Sequence, residues 1–454
     1  MNKTLISLAV ASVVTTSMFA NAETDALKAQ LKALTERLNN VEKQYEETEE
    51  KTNILIEETA DLKTGFNFNV VDTEKSYNGM GAAASKVYYS KSPLSIGGYG
   101  EMFYASKEDA TNVADVYRFV PYIGYRFNDN IVLNVELEFE HGGSGNSTSK
   151  PAGSSTDDGK VIVEFMYLDF MLSDNFNLQV GHLLTPMGLV NLRHEPTLFN
   201  TVQRPNTEKY LIPSTWHSTG VLAYGNIGDT GFKYNAGIIQ ALDFDTTGAG
   251  NKGTIRDARL GSSKNSVMNN IAFVGRLDYT ATEGLLAGAS LYYGSATQGS
   301  VSGPTAMIYD AHLSYENSGF KTKAVYSATQ IDDADKLAAE GVNVPGALGQ
   351  ATEEANGYYV NVEYDILHTM NSEYKLPIFA QYDYINPNDK VVDGTNTTIT
   401  GDVNAESATT TVGLNFFPHP QVVLKADYAM TKYENSATTK KDQDILSLSL
   451  GFIF

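Results

Sequence analysis

Cysteine is absent from the 454 residues, which excludes a disulfide framework, thiolate metal sites and covalent c-type haem attachment. Long apolar runs are also missing beyond the N-terminus. No later stretch approaches the roughly 20 apolar residues of a spanning helix, so the rest of the chain is soluble or crosses a membrane as a closed barrel. Basic charge is scarce: 33 Lys and Arg stand against 54 Asp and Glu, a net charge of -21. That balance argues against nucleic acid or anionic surfaces as partners of the chain as a whole. Histidine is sparse, at positions 141, 182, 194, 217, 312, 368 and 419, with no pair at metal-ligand spacing on a helix and no Gly-x-Ser-x-Gly elbow. His194-Glu195 comes nearest to a dyad, but neighbours on a strand face opposite sides. Neither an enzyme nor a cofactor nor a metal site is expected.

Three features are present instead. One basic residue, Lys3, precedes an apolar run from Leu5 to Phe19 and the small-residue triplet Ala20-Asn21-Ala22. This pattern predicts a cleaved secretory signal over residues 1–22, with Glu23 as the new terminus. Losing Lys3 with it takes the net charge from -21 to -22.

A heptad seam follows. Leu27, Leu31, Leu34, Leu38, Val41, Tyr45, Thr48, Thr52, Leu55, Thr59 and Leu62 recur at spacings of four and three, apolar in the first half and rich in Thr in the second. Such a narrow stripe predicts a coiled coil over 23–64 whose order the core residues leave open; a lone helix lying on a barrel would need a wider apolar face. At 1.5 Å per residue the span 27–62 makes a rod of about 54 Å, a spacer or cell-wall-directed stalk. Residues 65–93 lack a sustained period and read as a linker able to enter a barrel.

From residue 94 onward the period is two. Ile131, Leu133, Val135, Leu137 and Phe139 alternate with Val132, Asn134, Glu136, Glu138 and Glu140, and similar alternation returns at 307–316 and 320–327. Apolar residues on one face and charged ones on the other suit lipid outside and water inside, although a soluble sandwich alternates too. Connection lengths decide between them. Short turns near 128–130, 173–175, 228–231, 282–283, 317–319, 368–372 and 418–420 fall between long polar loops at 142–160, 185–216, 245–266, 297–304, 331–356 and 387–406.

This arrangement predicts an all-β transmembrane fold, a sixteen-stranded antiparallel outer-membrane barrel over 94–454 with both termini periplasmic. The strands begin near 94, 115, 131, 161, 176, 217, 231, 268, 284, 305, 319, 357, 376, 407, 421 and 443. The abundance of Tyr and Phe, 27 and 20 against the single Trp216, fits strands ending at membrane interfaces. In the last strand Leu446, Leu448, Leu450, Phe452 and Phe454 share one face, and the terminal aromatic looks like the signal read by the barrel assembly machinery of the outer membrane.

Four segments resemble the phosphate-selective porin O and P family: Gly97-Gly98-Tyr99-Gly100-Glu101, Val180-Gly181-His182 leading into Thr185-Pro186-Met187-Gly188, Gly413-Leu414-Asn415-Phe416-Phe417-Pro418-His419-Pro420, and the final Phe454. The likeness covers roughly residues 94–454. It implies a homotrimeric porin in the outer membrane of a Gram-negative bacterium, with the coiled coil in the periplasm, passing small ions and solutes. It further implies a third external loop, here 185–216, that folds inward to narrow the channel, so Arg193, His194, Glu195, Arg204, Glu208 and Lys209 become the constriction candidates. Inward strand positions offer Arg118, Arg126, Lys233, Arg276, Lys321 and Lys323 but also Glu136, Glu138, Glu140, Asp310, Asp383 and Asp427. With both signs present, phosphate specificity does not follow. The rival reading is a structural tether, the coiled coil linking a merely anchoring barrel to the cell wall.

Overall fold

The computed structural model describes residues 21–63, 71–108, 110–142, 159–244, 253–259, 266–341, 349–370, 372–399, 406–434 and 442–454. The chain divides into two units, residues 1–67 and 68–454. In the first, helix α1 (Asn21–Lys63) runs for 43 residues. Its seam positions Leu27, Leu31, Leu34, Leu38, Val41 and Tyr45 are all exposed, so the stripe that a partner helix would cover is open in the single chain. The side chains of Leu55 and Leu62 and residues 1–20 of the predicted signal lie outside the described residues.

The second unit is a ring of sixteen strands: β1 (Leu94–Lys107), β2 (Val113–Asn128), β3 (Ile131–Glu140), β4 (Val161–Phe170), β5 (Asn177–Leu184), β6 (His217–Asn226), β7 (Phe232–Gln240), β8 (Ile271–Tyr279), β9 (Leu285–Ser295), β10 (Thr305–Asn317), β11 (Phe320–Asp332), β12 (Gln350–Asp365), β13 (Pro377–Asp393), β14 (Ser407–His419), β15 (Val422–Tyr433) and β16 (Gln443–Ile453). Each pairs antiparallel with the next, and β16 returns to β1 from Tyr99↔Ile453 to Lys107↔Ile445. Phe454 extends that seam by exchanging two 2.9 Å backbone hydrogen bonds with Gly98, and its ring stacks on Phe119.

Burial is the reverse of a water-soluble protein's. Val360, Val412, Leu424, Leu446 and Leu448 are 43–47% exposed, whereas Asn361, Thr411, Lys425, Asp427 and Ser447 on the same strands are buried. A continuous apolar outer wall is stable only in hydrocarbon. No described helix is long and apolar enough to cross a membrane; the strands do the crossing.

The predicted strand starts agree within three residues at every strand except β12, which begins at Gln350 instead of near 357. There the expected loop 331–356 is shortened, as is 387–406, because β12 and β13 pair as far as Gln350↔Asp393 and a two-residue strand, Thr398–Ile399, folds back on Val391 and Val392. The two-residue apolar period that marks a lipid-facing strand is lost across Glu353, Glu354 and Asn356, and the register shifts at the same place.

Two chain segments fill the ring. Residues 71–93, expected as a linker, form a lumenal plug built on helix α2 (Ala82–Tyr89), whose residues Ala82 to Tyr88 are buried and which packs on β1, β2 and β3. Val87 occupies the space over Gly124, where no Cβ would fit. Tyr77 stacks on Tyr88 at 3.7 Å, and Asp169 on β4 accepts the hydroxyls of Tyr88 and Tyr224 at 2.7 and 2.8 Å. The second segment is the loop 185–216.

The inverted burial makes a direct prediction. Val412→Arg, on the outer face of β14, lowers stability in lipid by about 2–4 kcal/mol if it sits near the bilayer midplane, whereas Val412→Leu is close to neutral; denaturant titration of the protein in liposomes separates the two.

Candidate pore constriction

The loop 185–216 contains only a 3-10 turn (Asn191–Arg193) and a π-type turn (Thr207–Leu211), yet much of it is buried. A buried backbone without regular structure must find hydrogen-bond partners elsewhere. The barrel wall supplies them with charged side chains. Asp310 on β10 accepts from the Gly188 amide at 3.1 Å, and Arg276 on β8 donates to the Gly188 carbonyl. Lys323 on β11 donates to the Leu198 carbonyl at 2.6 Å, and Lys425 on β15 to the carbonyls of Phe199 and Thr201 at 2.8 and 3.1 Å. Asp427 accepts from the Val202 amide at 2.6 Å, and Asp383 on β13 accepts from the amide and hydroxyl of Thr207 and from the Asn206 amide. Bonds to ionised partners are the strong class, and here they tie the loop to five strands on one side of the ring.

The loop also clamps itself. Glu208 accepts from the amides of Leu189 and Val190 at 2.5 and 2.7 Å and from the Tyr359 hydroxyl of β12 at 2.6 Å. Gly188 has φ +65°, and a Cβ there would run into Glu208 and Ile212, so both conformation and space require glycine. Burial raises the pKa of Glu208 despite these donors.

Towards the plug, Glu195 accepts from the Ala84 amide at 3.0 Å in the first turn of α2, and Arg193 donates to the Gly79 carbonyl at 3.0 Å. Arg126 closes the other end of α2 by donating to the carbonyls of Val87 and Tyr88 at 3.1 and 2.8 Å. A carboxylate at a helix N-terminus and a guanidinium at its C-terminus both match the helix dipole. Against β3, His194 Nε2 lies 3.0 Å from Glu136.

The constriction candidates therefore separate. His194, Glu195 and Glu208 are buried, while Arg193, Arg204 and Lys209 are partly exposed. Among the wall candidates, Arg118 is buried between Glu101 and Glu138, at 3.7 and 3.3 Å. Glu136, Asp310, Asp383 and Asp427 are buried as well. Glu140 pairs with Lys160 and Lys321 with Glu316, both at 2.7 Å, and Lys233 is exposed at the start of β7.

Two residues of the loop network escape the sequence reading. Arg256 and Arg259 belong to the loop after β7, where a four-residue helix (Ile255–Ala258) is capped by Thr254 accepting from the Asp257 amide. Arg256 donates to the Lys209 carbonyl at 2.9 Å, and Arg259 to the Arg256 carbonyl and the Thr215 hydroxyl. Arg204 donates to the Ser214 hydroxyl and the His194 carbonyl, both at 3.2 Å. All these acceptors are neutral groups. Burial, then the neighbouring Arg256, pulls Arg259 down to about 9. The loop 245–266 looks from sequence like any solvated polar connection.

Tyr359→Phe removes the donor to Glu208 and leaves a buried carboxylate oxygen unmatched, a loss of about 1–3 kcal/mol. The expected signature is a lower unfolding midpoint together with noisier current through the open channel; an unchanged midpoint contradicts the clamp.

Residues 304–454 match the family model described as phosphate-selective porin O and P. A protein of Aquifex aeolicus (strain VF5), described as uncharacterized, is 31% identical over 394 residues, 84% of each chain. Among solved structures, Salmonella typhi OmpF in complex with daunomycin superposes with a TM-score of 0.53 at 11% identity, covering 80% of this chain and 97% of that one. The anion-selective porin from Comamonas acidovorans gives 0.50 at 12% identity, covering 80% and 99%; both likenesses concern the fold alone. With the closed ring of sixteen strands, the lumenal loop and the C-terminal match together, the chain belongs to the phosphate-selective porin O and P family of outer-membrane porins.

Proposed function

We propose that the protein is an outer-membrane channel for passive diffusion of small hydrophilic solutes and ions, narrowed by the loop 185–216 and biased towards anions. The observation that carries the bias is the division of exposure around that loop. Wall acids Asp310, Asp383 and Asp427 are buried against loop amides, while Arg204 and Arg256 are partly exposed and hydrogen-bond only to neutral acceptors. Cations exposed at a constriction lower the barrier for anions and raise it for cations. No catalytic group is needed, because solutes move down their gradients and the protein supplies only a lined passage.

Further parts of the reading stand beside it. The signal over 1–22 is removed on export, the termini face the periplasm, and residues 27–62 associate with the same helix of neighbouring copies in a homotrimer, which would cover the exposed seam of α1. Phe452 and Phe454 on the closing strand serve the assembly machinery. The tether reading finds no support in the family or in the structural neighbours.

The test is the reversal potential of purified protein in a planar bilayer under a salt gradient. The wild type favours the anion, and Arg204→Ala combined with Arg256→Ala moves the potential towards the cation side. An unchanged potential in the double variant removes these residues from selectivity.

A further inference from the structure

A buried cluster between the loop and the wall is not used by the channel. Glu136 on β3, Glu164 on β4 and His194 on the loop each bring one ligand-type atom within 4.8 Å of the others, and they are 0%, 0% and 2% exposed. The backbone makes this convergence on purpose of geometry: the β3–β4 register slips between Glu136 and Leu137, so Glu164 is the extra residue of a β-bulge and turns inward beside Phe165. Bulges re-aim side chains in this way.

The hydrogen bonds of the cluster do not close. His194 Nδ1 lies 2.7 Å from the Asn191 carbonyl oxygen, which can only accept, so Nδ1 carries the ring proton. In the neutral ring Nε2 then presents a lone pair, and it faces Glu136 Oε1 at 3.0 Å and Glu164 Oε2 at 3.8 Å. Three acceptors pointing at one another repel unless protons or a cation lie between them. Glu136 Oε2 and both oxygens of Glu164 have no hydrogen-bond partner. Nearby guanidinium groups act on the cluster only through space: Arg118 pairs with Glu101 and Glu138, and Arg204 donates to Ser214 and the His194 carbonyl. A proton on Nε2 would answer Glu136 Oε1, and one shared between Glu164 and Glu136 or Glu138 would join two carboxyl oxygens; a divalent cation meets all three ligand atoms at once.

We propose that Glu136, Glu164 and His194 bind a divalent transition-metal ion of the zinc class, which ties the loop to the β3–β4 wall. One imidazole nitrogen and two carboxylates suit Zn²⁺ with a fourth position left open, and ligand atoms about 2.0–2.2 Å from the ion stand about 3.4 Å apart in a tetrahedron, between the two separations above. Ca²⁺ and Mg²⁺ are disfavoured, since they ask for more oxygens and no imidazole. The Nδ1–H donation to Asn191 is the outer support that fixes a ligating imidazole. On the opposite side of the ring, Lys and Asp side chains reach the loop directly; here the ion makes the tie. The site does not depend on which solutes the channel passes.

The test uses the full chain purified in detergent without a histidine tag, stripped with a chelator and dialysed against Zn²⁺ alone, with metal counted by elemental analysis and Co²⁺ replacing Zn²⁺ for its visible spectrum. One ion per chain and a tetrahedral Co²⁺ spectrum are expected. Glu164→Gln, which keeps the shape of the side chain, and His194→Ala each weaken binding by no less than the about 10–100-fold that loss of an outer partner of a ligand costs. Should His194→Ala fail to fold, judged by β-sheet circular dichroism, Glu164→Gln alone decides. A stripped wild type that takes up neither metal overturns the proposal, and so does Glu164→Gln binding Zn²⁺ as tightly as the wild type.

Discussion

An irregular peptide chain inside a barrel is tolerable only if its amides and carbonyls are answered, and that requirement organises this molecule. The loop 185–216 crosses the lumen without a strand or a long helix, so the wall must supply donors and acceptors at fixed heights. Asp310, Asp383, Asp427, Lys323 and Lys425 do this. Those side chains occupy inward positions because the strands alternate, and they act as tethers because the loop is within reach. Fold and constriction are thus one arrangement.

The same requirement bears on the anion bias proposed for the channel. Counted along the sequence, the inward residues carry both signs and suggest no preference. The wall acids are buried against the loop and Glu101 and Glu138 pair with Arg118, whereas Arg204 and Arg256 stay partly exposed.

How far the sequence could be read follows from what each signal encodes. Strand alternation reports contact with lipid, so the membrane strands were legible to within a few residues, and β12 failed only where Glu353 and Glu354 extend it beyond the lipid-facing pattern. The plug was legible as an aperiodic stretch but not as helix α2, since its eight residues are too few to show a period. Inward charged positions on the strands were visible by parity. Their burial was not, because it depends on the loop packed against them. Glu164 was hidden by its bulge, which breaks the parity that would have marked it inward, and Arg256 and Arg259 by a loop whose path nothing in the local pattern records.

The central claim is that the loop 185–216 stands in the path of permeating solutes. The absence of native cysteine makes it directly testable at Gln203, an exposed residue on that loop. With Gln203→Cys in a planar bilayer, a bulky thiol-reactive sulfonate is predicted to cut the stepwise single-channel current while leaving the wild type untouched. Full labelling of the cysteine with no change in current would contradict the account.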